Sequence, residues 1–163
     1  MTDTIKNHIV NIIIDNEFGA LARVIELFSA RGYNIETLSV APVSGKQNVS
    51  VITITTNCND KTIALICKLL QRIVPVHTAQ QLNSQHISQE LVLLKIAESP
   101  LFIEDILQHN TACRWRIISP QISQTQTNLE LIGDSYNINQ IIETFASHKI
   151  ISIARSGLVA IDL

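Results

Sequence analysis

Few residues in this chain have the type and spacing to do chemistry, and those that do lie near its start. Asp15-Asn16-Glu17-Phe18-Gly19-Ala20-Leu21 is followed ten residues later by Arg31-Gly32-Tyr33-Asn34-Ile35. The first stretch reads as a strand end, a glycine loop and a helix start, and the second as a glycine stop and a new strand. Backbone N–H groups at a helix N-terminus have no intrahelical acceptor, so they favour a small anion such as a carboxylate. The N–H groups near Gly19, Ala20 and Leu21 suit that role. The amide oxygens of Asn16 or Asn34, one at each end of the helix, suit an ammonium group, and neighbouring apolar residues would enclose a small side chain. A free amino acid fits such a set, and binding it needs no covalent step. The same residues also fit plain turns, with Gly32 as a helix stop and the two asparagines bonding to local backbone. Spacing alone leaves both readings open.

Elsewhere, catalytic patterns are missing. His8, His77, His86, His109 and His148 are scattered without i, i+4 spacing, so metal ligation is not expected. Glu104-Asp105 reads as a solvated helix face, and Asp15 with Glu17 as carboxylates that favour a helix start rather than a catalytic pair. There is no nucleophile elbow, phosphate-binding loop or dinucleotide fingerprint. Cys58, Cys67 and Cys113 are odd in number and form no paired motif, as in ordinary reduced thiols. Neither catalysis nor a bound cofactor is expected of this chain by itself.

Composition points towards a partner. Of 163 residues, 46% are apolar and only 16% charged, with a mean hydropathy of +0.23. So few charges poorly cover a free surface, and a covered face in an oligomer or complex is the expected remedy. A net charge of −2, 4% aromatic residues and no basic run argue against nucleic acid. No apolar run reaches the ~20 residues of a bilayer span. The N-terminus has no basic segment before an apolar one, so a cytoplasmic location is expected.

The elements that position these residues follow from periodicity. Ile9–Ile14 reads as a buried strand and 19–31 as a helix with Leu21, Val24, Ile25 and Phe28 on one face. Ile35–Val40 and Val49–Thr55 form a hairpin around a polar turn at 44–48. Asn59-Asp60 caps a helix striped by Ile63, Ile66, Cys67 and Leu70, and Pro75–Leu82 is a strand. The order then repeats. Glu90–Ile96 is a strand, Ser99-Pro100 starts a helix running to about Cys113, and Trp115–Ile118 and Thr127–Ile132 are strands around a long polar tip at 119–126. Ile138, Ile141, Ile142 and Phe145 stripe the last helix, and Ile150–Ile161 closes the chain as one or two strands, bent at Gly157. The fold class is α+β, two ferredoxin-like β-α-β-β-α-β domains, each a sheet with helices on one face only. The expected boundaries are 1–83, a linker at 84–89, and 90–163.

The run from Asp15 through Val24, with Leu27–Leu38 and Val40-Ala41-Pro42, resembles the regulatory (small) subunit of acetolactate synthase, also called acetohydroxyacid synthase. The resemblance continues through Glu90–Ile96 and Ala154-Arg155-Ser156-Gly157, and covers essentially the whole chain. It implies an N-terminal ACT domain, a ligand-sensing β-α-β-β-α-β module, and a C-terminal ferredoxin-like domain. It implies a homodimer whose ACT sheets pair side by side, with valine bound at their interface as feedback inhibitor. The family's effector positions carry over to Asn16, Gly19, Ala20 and Asn34, with Leu21 and Ile35 as neighbours. The partner implied is a large catalytic subunit holding thiamine diphosphate, Mg2+ and FAD, which condenses two pyruvates, or pyruvate with 2-oxobutyrate, and which the small subunit activates.

Three features depart from the family pattern. Phe18 stands where a small residue or proline is usual, Ser119 where Asp is frequent, and the sequence stops at Leu163 without a polar or basic tail. The alternative function is a free-standing ACT-type amino-acid sensor acting on another enzyme or on transcription. An RNA-recognition module shares the element order, but it needs aromatics on its central strands, and Ile9–Ile14 and Val49–Thr55 have none.

Overall fold

A computed structural model describes residues 4–43, 45, 48–118, 125–145 and 150–163. The chain divides into two compact units, one of Met1–Ile87 with Leu158–Leu163 and one of Ser88–Gly157.

The first unit contains β1 (Lys6–Asp15), α1 (Ala20–Ala30), β2 (Thr37–Pro42), β3 (Val49–Cys58), α2 (Asp60–Leu70) and β4 (Val76–Gln81), a β-α-β-β-α-β order. Its sheet is antiparallel in the order β2-β3-β1-β4. Val10, Ile12 and Ile14 of β1 alternate onto one face, which meets Ile52 and Ile54 of β3 in the core. Ala20, Val24 and Phe28 of α1 and Ile63, Ile66 and Leu70 of α2 close that core, each nearly fully buried. Ile25, expected on the buried stripe of α1, is 41% exposed. The stripe is instead centred on the i, i+4, i+8 row of Ala20, Val24 and Phe28, and that rotates Ile25 outward. Asn59 caps α2 through a 2.8 Å bond from the Thr62 N–H.

The second unit contains most of β5 (His86–Ile96), then α3 (Pro100–Leu107), β6 (Arg114–Ile117), β7 (Thr127–Gly133), α4 (Ser135–Thr144) and β8 (Ile150–Arg155). The sheet order is β6-β7-β5-β8. Val92, Leu94 and Ile96 meet Leu129 and Leu131, covered by Ile103, Leu107, Ile138, Ile141 and Phe145. Ser99 caps α3 with Pro100 at its first turn, and Asp134 caps α4. The α3 helix stops at Leu107, six residues short of the expected Cys113. Asn110 Oδ1 accepts from both Ala112 N and Cys113 N at 3.1 Å, a local turn that competes with helix.

Two boundaries differ from those expected. The β5 strand begins at His86, inside the stretch expected to be linker. The last strand, β9 (Val159–Asp162), groups with the first unit. Its hydrogen-bond partner Asn11 lies 149 residues away in sequence, so local periodicity gives no sign of it. The polar tip expected at 119–126 lies outside the described residues except for Thr125 and Gln126.

Candidate functional site

The β1 strand ends in a loop held by its neighbours. Asp15 N donates to Pro75 O at 2.9 Å and Asn16 N to Asn48 O at 2.7 Å, so the β1–α1 loop, the β2–β3 turn and the segment before β4 share one end of the sheet. Asn48 and Gly45 have φ of 60° and 82°, as the tight turn demands. Gly19 caps α1 at φ 81°, ψ −5°, with no side-chain cap bond. That left-handed conformation is costly for any residue with a Cβ. The backbone therefore approaches the helix start with no side chain in the way. Ala20 is buried beneath the loop and Leu21 is half-buried against the core.

The carboxylates of the loop are committed to separate partners. Asp15 Oδ1 lies 2.7 Å from His77 Nε2, and Glu17 Oε1 lies 3.3 Å from Arg23 Nη1. They do not form a catalytic pair. The Ala20 N–H, expected to face an anion, donates to Glu17 O at 3.2 Å, a long bond with which a carboxylate can compete. The Phe18 ring is fully exposed and does not narrow the loop.

Asn34 lies at the other end of α1. Gly32, at φ 68°, ends the helix, and Phe28 and Tyr33 meet edge-to-face with centroids 6.3 Å apart. Asn34 O accepts from Thr56 Oγ1 at 2.6 Å, and Glu36 N donates to Thr55 O at 2.9 Å. Asn34 Nδ2 donates to Glu36 Oε1 at 2.7 Å. Asn34 and Glu36 thus bring an amide oxygen and a carboxylate to the same strand start, acceptors of the type suited to a cation. Glu36 was not among the residues expected from sequence. Its signal was a carboxylate two residues from an asparagine at a strand start. Ile35 is half-buried against the core.

Asn16 and Asn34 do not meet within one chain. Asn16 is tied to Asn48 at the start of β3 and Asn34 to Thr56 near its end. The intervening strand separates them by about 26 Å. Asn16, Gly19, Ala20 and Leu21 gather at one end of the unit, and Asn34 and Ile35 at the other.

Among the described residues nothing else offers a reactive centre. Burial pushes the Cys58, Cys67 and Cys113 thiols up, so none is a thiolate near neutral pH. Among the described residues no cluster of His, Cys, Asp and Glu could hold a metal ion, and no helix is long and apolar enough to cross a membrane.

A β-α-β-β-α-β unit with helices on one face and a glycine-opened helix after its first strand has the architecture of an ACT domain. Comparison with known proteins agrees. Residues 10–78 match the model of the AHAS small subunit-like ACT domain, and residues 89–163 match that of the small subunit of acetolactate synthase. The chain is 35% identical over 156 residues to the acetolactate synthase isozyme 3 small subunit of Salmonella typhimurium, covering 94% of each chain. It is 34% identical to that of Escherichia coli strain K12, again over 94% of each. The crystal structure of the acetolactate synthase small subunit from Thermotoga maritima shares the fold with a TM-score of 0.82 over 97% of this chain and 98% of that one, at 23% identity. The chain belongs to the acetolactate synthase small-subunit family. It is a non-catalytic regulatory subunit in branched-chain amino-acid biosynthesis, a partner to a large catalytic subunit.

Proposed function

We propose that this subunit raises the activity of its catalytic partner in the cytoplasm and makes it sensitive to valine, bound between two copies of the first unit. The observation that carries the reading is the separation of the two asparagine sites at opposite ends of that unit. Each end has half of what an amino acid needs. The Gly19 loop and Asn16, with Ala20 and Leu21 beneath, suit the carboxylate. Asn34 Oδ1 and Glu36 suit the ammonium, and Ile35 offers an apolar wall.

A two-fold dimer completes the site. The β2 strand is an edge of the sheet, free of charged residues, with Val40 45% exposed. Such an edge is a template for pairing. Both β1 and β2 run antiparallel to β3, so β2 starts near Asn34 and ends near Asn16 and Asn48. Antiparallel pairing of β2 with its copy therefore brings Asn34, Ile35 and Glu36 of one protomer beside Asn16, Gly19, Ala20 and Leu21 of the other. Symmetry gives two equal sites. In this reading residues 1–83 are the regulatory domain and the C-terminal ferredoxin-like domain runs from residue 90 to Gly157, with Leu158–Leu163 grouping with the first unit. Thiamine diphosphate, Mg2+ and FAD belong to the catalytic subunit.

Regulation is then a linkage. Valine favours one arrangement of the dimer and the catalytic subunit senses it, with a coupling of about 1–3 kcal/mol, or roughly 5–150-fold. The test is reconstitution of the catalytic subunit with this chain followed by valine titration. Activation without valine and inhibition with it is the expected result. Activity unchanged at saturating valine would overturn the effector assignment, and no gain on adding the chain would overturn activation.

A further inference from the structure

The first unit contains a segment from the far end of the chain. Leu158 and Ala160, 6% and 7% exposed, pack with Ile9 and Leu82 into a small apolar cluster of their own. Asn11, in the middle of β1, uses both ends of its amide there. Its Oδ1 accepts from Thr53 Oγ1 at 2.9 Å, which fixes the orientation, and its Nδ2 donates to Ala160 O at 2.7 Å. Asp162 Oδ1 accepts from Asn83 N at 3.3 Å, and Leu163 N donates to Gln85 O at 3.2 Å. The chain reaches this place directly from β8 through Gly157, whose φ of 74° turns it.

We infer that Asn11 is a positioning residue. It fastens the C-terminal strand β9 to β1 as a tether, and this tether carries effector occupancy from the Gly19 loop to the second unit. The inference rests on the effector reading above and deepens it. The β1 strand runs without interruption from Asn11 to Asp15, and the loop begins at Asn16. Any shift of β1 on ligand binding therefore acts on β9, and β9 is covalently continuous with β8. The structure holds β9 docked, and the tether requires a second state in which β9 is released.

Two variants of the full-length chain test this. Asn11→Asp keeps the acceptor for Thr53 but removes the donor to Ala160. Ala160→Asp places a charge in the apolar cluster. Each is assayed for valine binding by calorimetry, for activation of the catalytic subunit without valine, for the extent of inhibition at saturating valine, and for hydrogen exchange of residues 158–163. The expected result is β9 amides exchanging about tenfold faster, near-unchanged valine binding and activation, and maximal inhibition cut by roughly half or more. If both variants release β9 and are still fully inhibited, the tether is wrong. If β9 stays protected in both, Asn11 and Ala160 do not hold it, and the assignment also falls. If the unsubstituted chain does not bind valine, the effector reading itself has failed.

Discussion

Arg155 clasps Glu90 at two points, Nε to Oε1 and Nη2 to Oε2, each at 2.7 Å. Glu90 is 1% exposed. Ser135 Oγ donates to the same carboxylate at 3.0 Å, and Arg155 Nη1 reaches Asn139 Oδ1 at 3.0 Å. One carboxylate thus ties β5, β8 and the first turns of α4 together in the second unit. Two parallel charge-assisted bonds to a buried carboxylate make this a strong polar contact.

Removing the cation should be costly. Arg155→Ala strands a buried carboxylate, and because Arg155 is about one-third exposed, the loss falls between surface and buried pairs, about 1–3 kcal/mol. Arg155→Lys should recover only part of it, because a single ammonium cannot reproduce the fork. Urea unfolding of the three proteins measures this, and equal stability of Arg155→Ala and the parent would contradict it.

The same pair sets a pH dependence. Burial pushes the Glu90 carboxyl up, but the hydrogen bonds and charge of Arg155, with the Ser135 hydroxyl, outweigh it and hold the carboxyl below its usual value. A carboxyl whose folded pKa is lowered stabilises the fold above its unfolded pKa and loses that contribution as pH falls through the folded one. The stability gap between the parent and Glu90→Gln should therefore be full above about pH 5 and shrink as the pH drops below about 4. A gap that widens in acid would reverse the sign argued here.

Gly133 is required for packing. A Cβ built there would lie 2.5 Å from Cys113 Sγ and 3.3 Å from Cys113 Cβ. Gly133→Ala should cost about 1–3 kcal/mol by overpacking. Adding Cys113→Ala removes the sulfur and should make the double variant more stable than the sum of the singles. Thermal unfolding of the cycle reads the coupling, and strict additivity would mean that the backbone absorbs the methyl.

The two-copy site predicts complementation. Asn16→Ala and Asn34→Ala should each weaken valine binding in the homodimer. A mixed dimer of the two variants has one site with both asparagines and one with neither. Co-refolding the variants should therefore restore about half of the parent's valine-binding capacity at parental affinity within the mixed dimers. No restoration would mean that one chain supplies both asparagines, or neither.

Glu36 should contribute to the ammonium end of the site. Glu36→Gln keeps a partner for Asn34 Nδ2 and removes one charge, so valine affinity should fall about fivefold, in line with roughly 1 kcal/mol for a partly exposed charged hydrogen bond. The difference should shrink with added salt. Calorimetry at two ionic strengths tests both statements, and unchanged affinity would remove Glu36 from the site.

Much of this was legible in the residues. The β-α-β-β-α-β order, the Gly19 loop, the Gly32 stop and the caps at Asn59 and Ser99 are local, set by periodicity and by side chains a few residues apart. The end of α3 was not legible, because the Asn110 side chain competes with the helix only once the turn has formed. The start of β5 and the allegiance of β9 were hidden for a related reason, since their partners are distant in sequence. The Asn34–Glu36 bond leaves no local sign, because a lone carboxylate at a strand start usually faces water.

The sequence by itself determined the elements, the family and the residue types around the loop, since each depends on short spacings. Only the tertiary structure decided that Asn16 and Asn34 are tied to the two ends of β3, through Asn48 and Thr56. It also decided that the last six residues fold back onto β1. Both facts depend on strand order and register, which are set by side chains meeting across the sheet rather than along the chain.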